Sequence, residues 1–207
     1  PLSPRERAAF TRTTSERALA RYEARRAEIT FTNAVLEGST FTLPEVRTLL
    51  DGITPEGRRI TEILEVSNLA RTVNLLHDDV AAGAFALDIV HLQRYNDTTT
   101  APALAVAHER CSHIEDVVER ALNYAALISY VQPFSDGNKR TARFMADGLL
   151  MSRGYDAVEI PAASRREYTR ALADMFTRAD TGPYVEFLAH QARQDSRPAG
   201  QSCHSNL

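Results

Sequence analysis

The chain has 207 residues, of which 24 are basic, 27 are acidic and 43% are hydrophobic, with a formal net charge of −3. These values are ordinary for a globular domain and exclude a collagen-like or globally disordered chain. Because the charges balance, we expect no nucleic-acid partner and no membrane partner. Two cysteines far apart, Cys111 and Cys203, form neither a disulfide framework nor a zinc knuckle, so we expect a cytoplasmic protein.

Helix signals recur along the chain. A Ser or Thr followed by Glu three residues later is the capping-box pattern, and it occurs as Ser3–Glu6, Thr42–Glu45, Ser112–Glu115 and Ser164–Glu167. Apolar periodicity after these signals predicts helices over about 4–36, 58–79, 115–131, 138–153, 165–178 and 184–193. Residues 158–160 are predicted to be extended, and residues 96–100 form a polar break. The sequence therefore predicts an all-α protein.

One stretch combines the residues suited to chemistry. It reads Gln132-Pro133-Phe134-Ser135-Asp136-Gly137-Asn138-Lys139-Arg140-Thr141-Ala142-Arg143. Pro133 ends one helix, and a tight turn at Gly137 begins the next. The unpaired backbone N–H groups of Gly137, Asn138 and Lys139 would then point outward from a helix N-terminus, which is a ready anion site.

Three side chains strengthen this anion-site hypothesis. Arg140 and Arg143 are three residues apart, so they share one helix face and can converge on the same anion. Asp136 is a carboxylate placed to hold Mg²⁺ against phosphate oxygens. The combination predicts a nucleotide diphosphate site, and the alternative is an ordinary helix cap with surface arginines.

The stretch resembles the motif of the Fic family, His-Pro-Phe-x-Asp/Glu-Gly-Asn-Gly/Lys-Arg-x-x-Arg. Every fixed position matches except the first, where Gln132 replaces His. Residues 33–38 are similar to the inhibitory segment Ser/Thr-x-x-x-Glu-Gly of one Fic subgroup, with Asn33 in place of Ser/Thr and with Glu37 as the inhibitory residue. The resemblance extends over about residues 26–190.

This resemblance implies a fold and a division of the chain. The fold is an all-α Fic-type helical bundle with an N-terminal helical extension and at most a short β-hairpin. Residues 1–57 are expected to form the extension with the inhibitory segment, residues 58–193 the core domain, and residues 194–207 a disordered tail.

The resemblance also implies an activity, the transfer of AMP from ATP to a hydroxyl of a protein, or here of a small molecule. It assigns Mg²⁺ binding to Asp136 and phosphate binding to Gly137, Asn138, Lys139 and Arg140. Arg143 either holds the γ-phosphate or pairs with the inhibitory Glu37. If the protein is active, it is a Fic-type protein adenylyltransferase, and we also consider a homodimer.

Gln132 departs from the family pattern at the catalytic base. The family's His takes the proton from the attacking hydroxyl, and a glutamine amide cannot do so, although it can still form hydrogen bonds. Loss of a general base typically costs about 10²–10⁴-fold in rate. We therefore expect weak, inactivated or altered transfer.

Two further departures leave alternatives open. Lys139 stands where AMP-transferring members usually carry Gly, and it resembles the Doc branch, which transfers phosphate. Arg143 and Glu37 resemble the AMP-transferring branch, which we favour. The family's β-hairpin flap has no clear signal in residues 90–102, which indicates a shortened flap or a substrate other than an extended protein segment. A repurposed enzyme acting on a small molecule and a non-catalytic nucleotide-binding regulator are therefore alternatives.

Overall fold

The computed structural model describes residues 2–95, 103–134 and 136–195. Within these ranges the chain forms eleven α-helices, one short 3₁₀ helix at Ala162–Ser164 and no strand, which confirms the all-α prediction. In chain order the α-helices are α1 Pro4–Arg7, α2 Ser15–Ala24, α3 Arg26–Leu36, α4 Leu43–Leu50, α5 Ile60–Ala81, α6 Ile89–Tyr95, α7 Ala103–Ser112, α8 Val117–Val131, α9 Asn138–Ser152, α10 Arg165–Arg178 and α11 Gly182–Asp195.

Helix α9 is the central element of the bundle. It packs along α8, and every residue from 141 to 151 is buried. Phe144 and Met145 join a cluster that also contains residues of α2, α3 and α5, whereas Leu149 and Leu150 join a second cluster with α8, α10 and α11. Each fully buried side chain of this size contributes about 1.5–3 kcal/mol of transfer free energy. The motif at the start of α9 is therefore anchored on both sides.

The predicted helix over residues 4–36 is wrong, because the structure divides it into α1, α2 and α3. The side-chain oxygen of Thr14 accepts the N–H of Arg17 at 3.2 Å and begins α2 afresh. Just before α2, the N–H of Thr13 donates to the carbonyl of Gly154. Because this N–H is used in a tertiary contact, the segment between α1 and α2 is not helical. Thr14 has Arg17 rather than Glu three residues later, so it is a plain N-cap and not a capping box.

Two of the four predicted capping boxes are present. The N–H of Ser3 donates to Glu6 at 2.8 Å, and the N–H of Thr42 donates to Glu45 at 2.7 Å. The box at Ser112 is wrong, because Ser112 ends α7. Helix α8 begins instead at Val117, where an oxygen of Asp116 accepts two backbone N–H groups at 2.9 and 3.0 Å.

The other differences are smaller. Helix α10 begins at Arg165 as predicted, but the Ser164 side chain makes no capping hydrogen bond. Residues 158–160 belong to no strand. The predicted polar break at 96–100, most of the segment 90–102 and the tail beyond Asp195 lie outside the described residues. None of the described helices is both long and apolar enough to cross a bilayer.

Candidate functional site

The loop between α8 and α9 begins at Gln132. This residue ends α8 in the left-handed conformation, with φ of 49°, and Pro133 follows it. The side chain of Gln132 is exposed and makes no hydrogen bond with the residues that the structure describes. The residue at the family's base position therefore faces solvent without a partner that would fix its orientation.

The side chain of Asn138 holds the loop in shape. Its oxygen accepts the N–H of Phe134 at 2.8 Å, and its amide nitrogen donates to the carbonyl of Phe134 at 2.7 Å. Both groups are buried. Sequence reasoning assigned only the backbone N–H of Asn138 and missed this role of its side chain. The signal available in the sequence was a Phe four residues before an Asn at a predicted helix start.

The N-terminus of α9 has no side-chain cap. Gly137 occupies the N-cap with φ of 74°, a conformation that glycine adopts without strain, and the N-cap residue has no side chain to accept the N–H groups of the first turn. Such N–H groups form an anion site together with the positive end of the helix dipole. Phosphate binding by this loop stays a prediction.

Asp136 and Arg140 lie together at this helix start. One oxygen of Asp136 lies 3.3 Å from a guanidinium nitrogen of Arg140, and their side chains are 87% and 25% exposed. Together with Gly137 they line a cavity of about 290 Å³, the motif cavity, whose opposite wall is α5. The residues from α5 and α6 are Glu65, Asn68, Leu69, Thr72 and Tyr95.

The donor set at the motif cavity can be tested against Mg²⁺. Among the described residues no group of three or more His, Cys, Asp or Glu side chains could hold a metal ion. Mg²⁺, however, is commonly bound by one or two carboxylates plus substrate phosphates and waters. The exposed carboxylate of Asp136 beside the N-terminus of α9 fits that second arrangement.

Arg143 is buried and points toward the N-terminal helices. Its side chain is 6% exposed, and two of its nitrogens donate to the Asn33 oxygen at 3.1 and 2.8 Å. A third nitrogen donates to the hydroxyl of Tyr168. The carboxylate of Glu37 lies 3.4 Å from the guanidinium, so the ion pair that the resemblance allows is present.

The structure gives the two motif arginines different surroundings. Arg140 lines the motif cavity, whereas Arg143 lines a second cavity between α2, α3 and α9. In this conformation Asn33, Glu37 and Tyr168 occupy Arg143, so the two guanidinium groups are not shown converging on one anion.

Asp147, one turn after Arg143 on α9, is a titratable residue that sequence reasoning missed. It is 7% exposed, and one of its oxygens accepts the N–H of Val158 at 2.9 Å. Burial raises the pKa of Asp147 to about 7, although the N–H of Val158 and the charge of Arg143 oppose the shift. In sequence it is one charged residue within the otherwise apolar stretch 144–151, which by itself predicts nothing.

Comparison with known proteins places this geometry in a family. Residues 59–150, from the start of α5 to near the end of α9, match the family model described as "Fic/DOC family". The match includes Gln132, Asn138 and the two motif arginines, Arg140 and Arg143.

Several relatives are named as adenylyltransferases. The chain is 27% identical over 187 residues to the protein adenylyltransferase Fic of Drosophila mojavensis, covering 74% of this chain and 37% of that protein. It is 42% identical over 72 residues to the protein of the same name from Drosophila melanogaster, covering 33% of this chain and 14% of that protein. The chain thus spans well under half the length of these relatives.

Solved structures share the fold. A Fic-1 variant from C. elegans aligns with a TM-score of 0.71 at 21% identity, covering 92% of this chain and 69% of that chain. A Fic domain containing signaling protein from Bacteroides thetaiotaomicron aligns with a TM-score of 0.66 at 16% identity, covering 92% and 91%. The bundle fold is shared along nearly the whole chain, and residues 59–150, which contain the motif, form a domain of the Fic/DOC family.

Proposed function

We propose that the protein is a Fic-type nucleotidyltransferase scaffold that binds ATP for transfer of AMP to a hydroxyl, with its catalytic base replaced by Gln132. The observation that carries the proposal is the uncapped N-terminus of α9, which lies beside Arg140 and Asp136 in one cavity. Relatives named as adenylyltransferases support the choice of AMP as the transferred group.

Each residue of the loop has a proposed task. The N–H groups of Gly137, Asn138 and Lys139 bind the α- and β-phosphates, because they are the uncapped donors of the helix start. Arg140 grips the β- and γ-phosphates with two parallel donors. Asp136 would hold Mg²⁺, which neutralises phosphate charge when it is bound.

Gln132 limits the chemistry. Its amide has no pKa near neutrality, so it cannot accept the proton of the attacking hydroxyl. Its exposed side chain can at most orient that hydroxyl by a hydrogen bond. The proposed transfer is therefore weak, inactivated or altered.

Glu37 is proposed to be inhibitory. Its ion pair with Arg143 occupies the guanidinium that would otherwise be available to the γ-phosphate. Asn33 adds two hydrogen bonds to the same guanidinium from the same helix. Helix α3 therefore competes with ATP for Arg143.

A specific observation supports a second candidate. Residues 89–95 and 103–112, which flank the part of the expected flap segment 90–102 that lies outside the described residues, are helical. A helical segment does not offer the extended edge that strand addition to a protein substrate needs. A small-molecule hydroxyl substrate, or nucleotide binding without transfer, is accordingly the alternative.

Calorimetric titration with ATP and Mg²⁺ tests nucleotide binding. The matched pair of variants is Arg140→Ala, at the start of α9, and Arg153→Ala, an exposed arginine at its other end. We expect binding by the wild type and by Arg153→Ala but not by Arg140→Ala. No detectable heat at millimolar nucleotide, for both the wild type and Glu37→Gly, would exclude the proposed site.

Mass spectrometry of the same mixtures separates the two candidates. AMP on protein hydroxyls in cell extract supports the adenylyltransferase. AMP on a small molecule alone, or binding with no transferred group even in Gln132→His, supports the alternative.

A further inference from the structure

A second cavity, of about 530 Å³, lies between α2, α3, α9 and the segment 156–160. We call it the N-terminal cavity. Its volume falls within the range of about 300–1,000 Å³ that is common for small-molecule sites. Its apolar wall includes Ile29, Leu36, Val158 and Ile160. It lies apart from the motif cavity, since the two share no lining residue.

Two buried polar side chains that line this cavity each have one polar atom without a hydrogen-bond partner in the described part of the chain. The hydroxyl of Tyr22 has none among the described residues, and the ring is 3% exposed. Asp147 uses one oxygen for the N–H of Val158, and its second oxygen receives no hydrogen bond from the described residues. An unpaired buried polar group is destabilising, so a ligand that satisfies these groups recovers that loss.

The two groups are also electrostatic neighbours. Burial, and then the charge of Asp147, raise the pKa of Tyr22. The hydroxyl therefore stays protonated and can donate, while Asp147 offers an acceptor. One ligand group that both accepts and donates hydrogen bonds suits this pair.

Each arginine that lines the cavity has an acidic partner. Three cationic and three acidic side chains line it, namely Arg21, Arg25, Arg143, Asp147, Asp156 and Glu159. Arg21 pairs with Asp156, Arg25 pairs with Glu159, and Arg143 pairs with Glu37. Asp147 is the remaining acid; it forms no ion pair with the described residues, and burial disfavours its ionised form. An ionic ligand in this cavity would meet the same desolvation cost, so the cavity favours an uncharged occupant.

We propose that the N-terminal cavity is a binding site for an uncharged, largely apolar small molecule whose hydroxyl group hydrogen-bonds to Tyr22 and Asp147. The apolar body of the ligand lies against Ile29, Leu36 and Val158. This binding requires neither ATP nor transfer activity, so it stands independently of the proposed function. Asn33 lines the same cavity and bonds Arg143, so the ligand contacts the helix that carries Glu37.

Three probes with one bicyclic body test the site: 2-naphthol, which is neutral, 2-naphthoate, an anion, and 2-naphthylmethylamine, a cation. Each is titrated into the full chain without nucleotide, by calorimetry and by ¹H–¹⁵N NMR. We expect 2-naphthol to bind most tightly and to shift the amide signals of α2, α3 and the segment 156–160. Failure of all three probes at millimolar concentration, or tightest binding by an ion, would overturn the proposal.

Matched variants identify the contacts. Tyr22→Phe removes the unpaired hydroxyl of a residue that lines the cavity, whereas Tyr124→Phe removes an equally buried, unpaired hydroxyl elsewhere. Loss of one hydrogen bond should weaken 2-naphthol binding about 3- to 10-fold in Tyr22→Phe only. Ala157→Phe, which fills the cavity, should abolish binding. A correctly folded Tyr22→Phe and a correctly folded Ala157→Phe that both bind like the wild type would place the ligand elsewhere.

Discussion

The carboxylate of Glu37 lies 3.4 Å from the guanidinium of Arg143 across 106 positions of sequence. Asn33, one turn earlier on α3, accepts two hydrogen bonds from the same guanidinium. Residues four apart share one helix face, so α3 presents an amide oxygen and a carboxylate together. A single displacement of α3 would therefore release Arg143 from both partners.

The first prediction concerns the charge of Glu37. Like charges about 4 Å apart repel by about 4 kcal/mol at an effective dielectric of 20, and water at this partly exposed side chain weakens the effect. Glu37→Gln should therefore tighten ATP binding about 10-fold, with little change for ADP, which lacks the γ-phosphate. Calorimetry with both nucleotides measures this difference.

Glu28→Gln is the matched control for this prediction. Glu28 lies on the same helix but pairs with Arg47 at 2.6 Å. Glu28→Gln should leave the affinities for ATP and for ADP unchanged. Equal changes for ATP and ADP in Glu37→Gln would mean that Glu37 does not face the γ-phosphate, and the inhibitory role would be wrong.

The second prediction contrasts the two motif arginines. Arg140 is partly exposed and pairs with an exposed carboxylate, a contact worth at most about 1 kcal/mol, so Arg140→Ala should leave the melting temperature nearly unchanged. Arg143→Ala should lower the free energy of unfolding by about 3 kcal/mol, because it removes a buried charge from Asn33, Glu37 and Tyr168. Urea unfolding compares them. A larger stability loss for Arg140→Ala would make that residue structural.

The third prediction concerns the two hydrogen bonds between the Asn138 side chain and the backbone of Phe134. Asn138→Ala removes both buried hydrogen bonds to Phe134 and should cost about 2 kcal/mol of unfolding free energy together with nucleotide affinity. Asn123→Ala, which loses one bond to its own helix, is the control and should cost less. If Asn138→Ala keeps full nucleotide affinity, these two hydrogen bonds do not shape the anion site.

Some of this site was accessible from the sequence because it depends on local chemistry. The stop at Pro133, the turn at Gly137 and the start of α9 follow from residue types within a few positions. The pairing of Glu37 with Arg143 was predictable only through the family resemblance. No local pattern places residues so far apart in contact.

The missed features depend on tertiary contacts. The break between α1 and α2 is held by the carbonyl of Gly154, more than a hundred residues away. The pKa of Asp147 is raised only because α2, α3 and the segment 156–160 bury its carboxyl group. Periodicity reports which face of a helix is buried, but it does not report what that face meets.

The fourth prediction concerns a variant that restores a general base at position 132. Gln132→His supplies an imidazole whose pKa lies near neutrality, and general-base catalysis is typically worth about 10²–10⁴-fold. Transfer of label from [α-³²P]ATP to protein should rise by about that factor, most clearly when combined with Glu37→Gly. Gln132→Asn is the control and should stay at the wild-type level. No gain in the combined variant would favour the small-molecule or regulatory alternative.

The fifth prediction is a pH dependence that originates at Asp147. Burial raises its pKa to about 7 in the folded state, whereas the ordinary value is 3.8, with Arg143 opposing the shift and Glu159 adding to it. The folded state therefore binds the proton more tightly than the unfolded state, so stability from this group is present at low pH and is lost as the pH rises toward 7. Asp147→Asn keeps an oxygen for the N–H of Val158 but cannot ionise. Urea unfolding between pH 5 and pH 8 should show the wild type losing stability relative to Asp147→Asn as the pH rises, and parallel curves would mean that Asp147 titrates in its ordinary range.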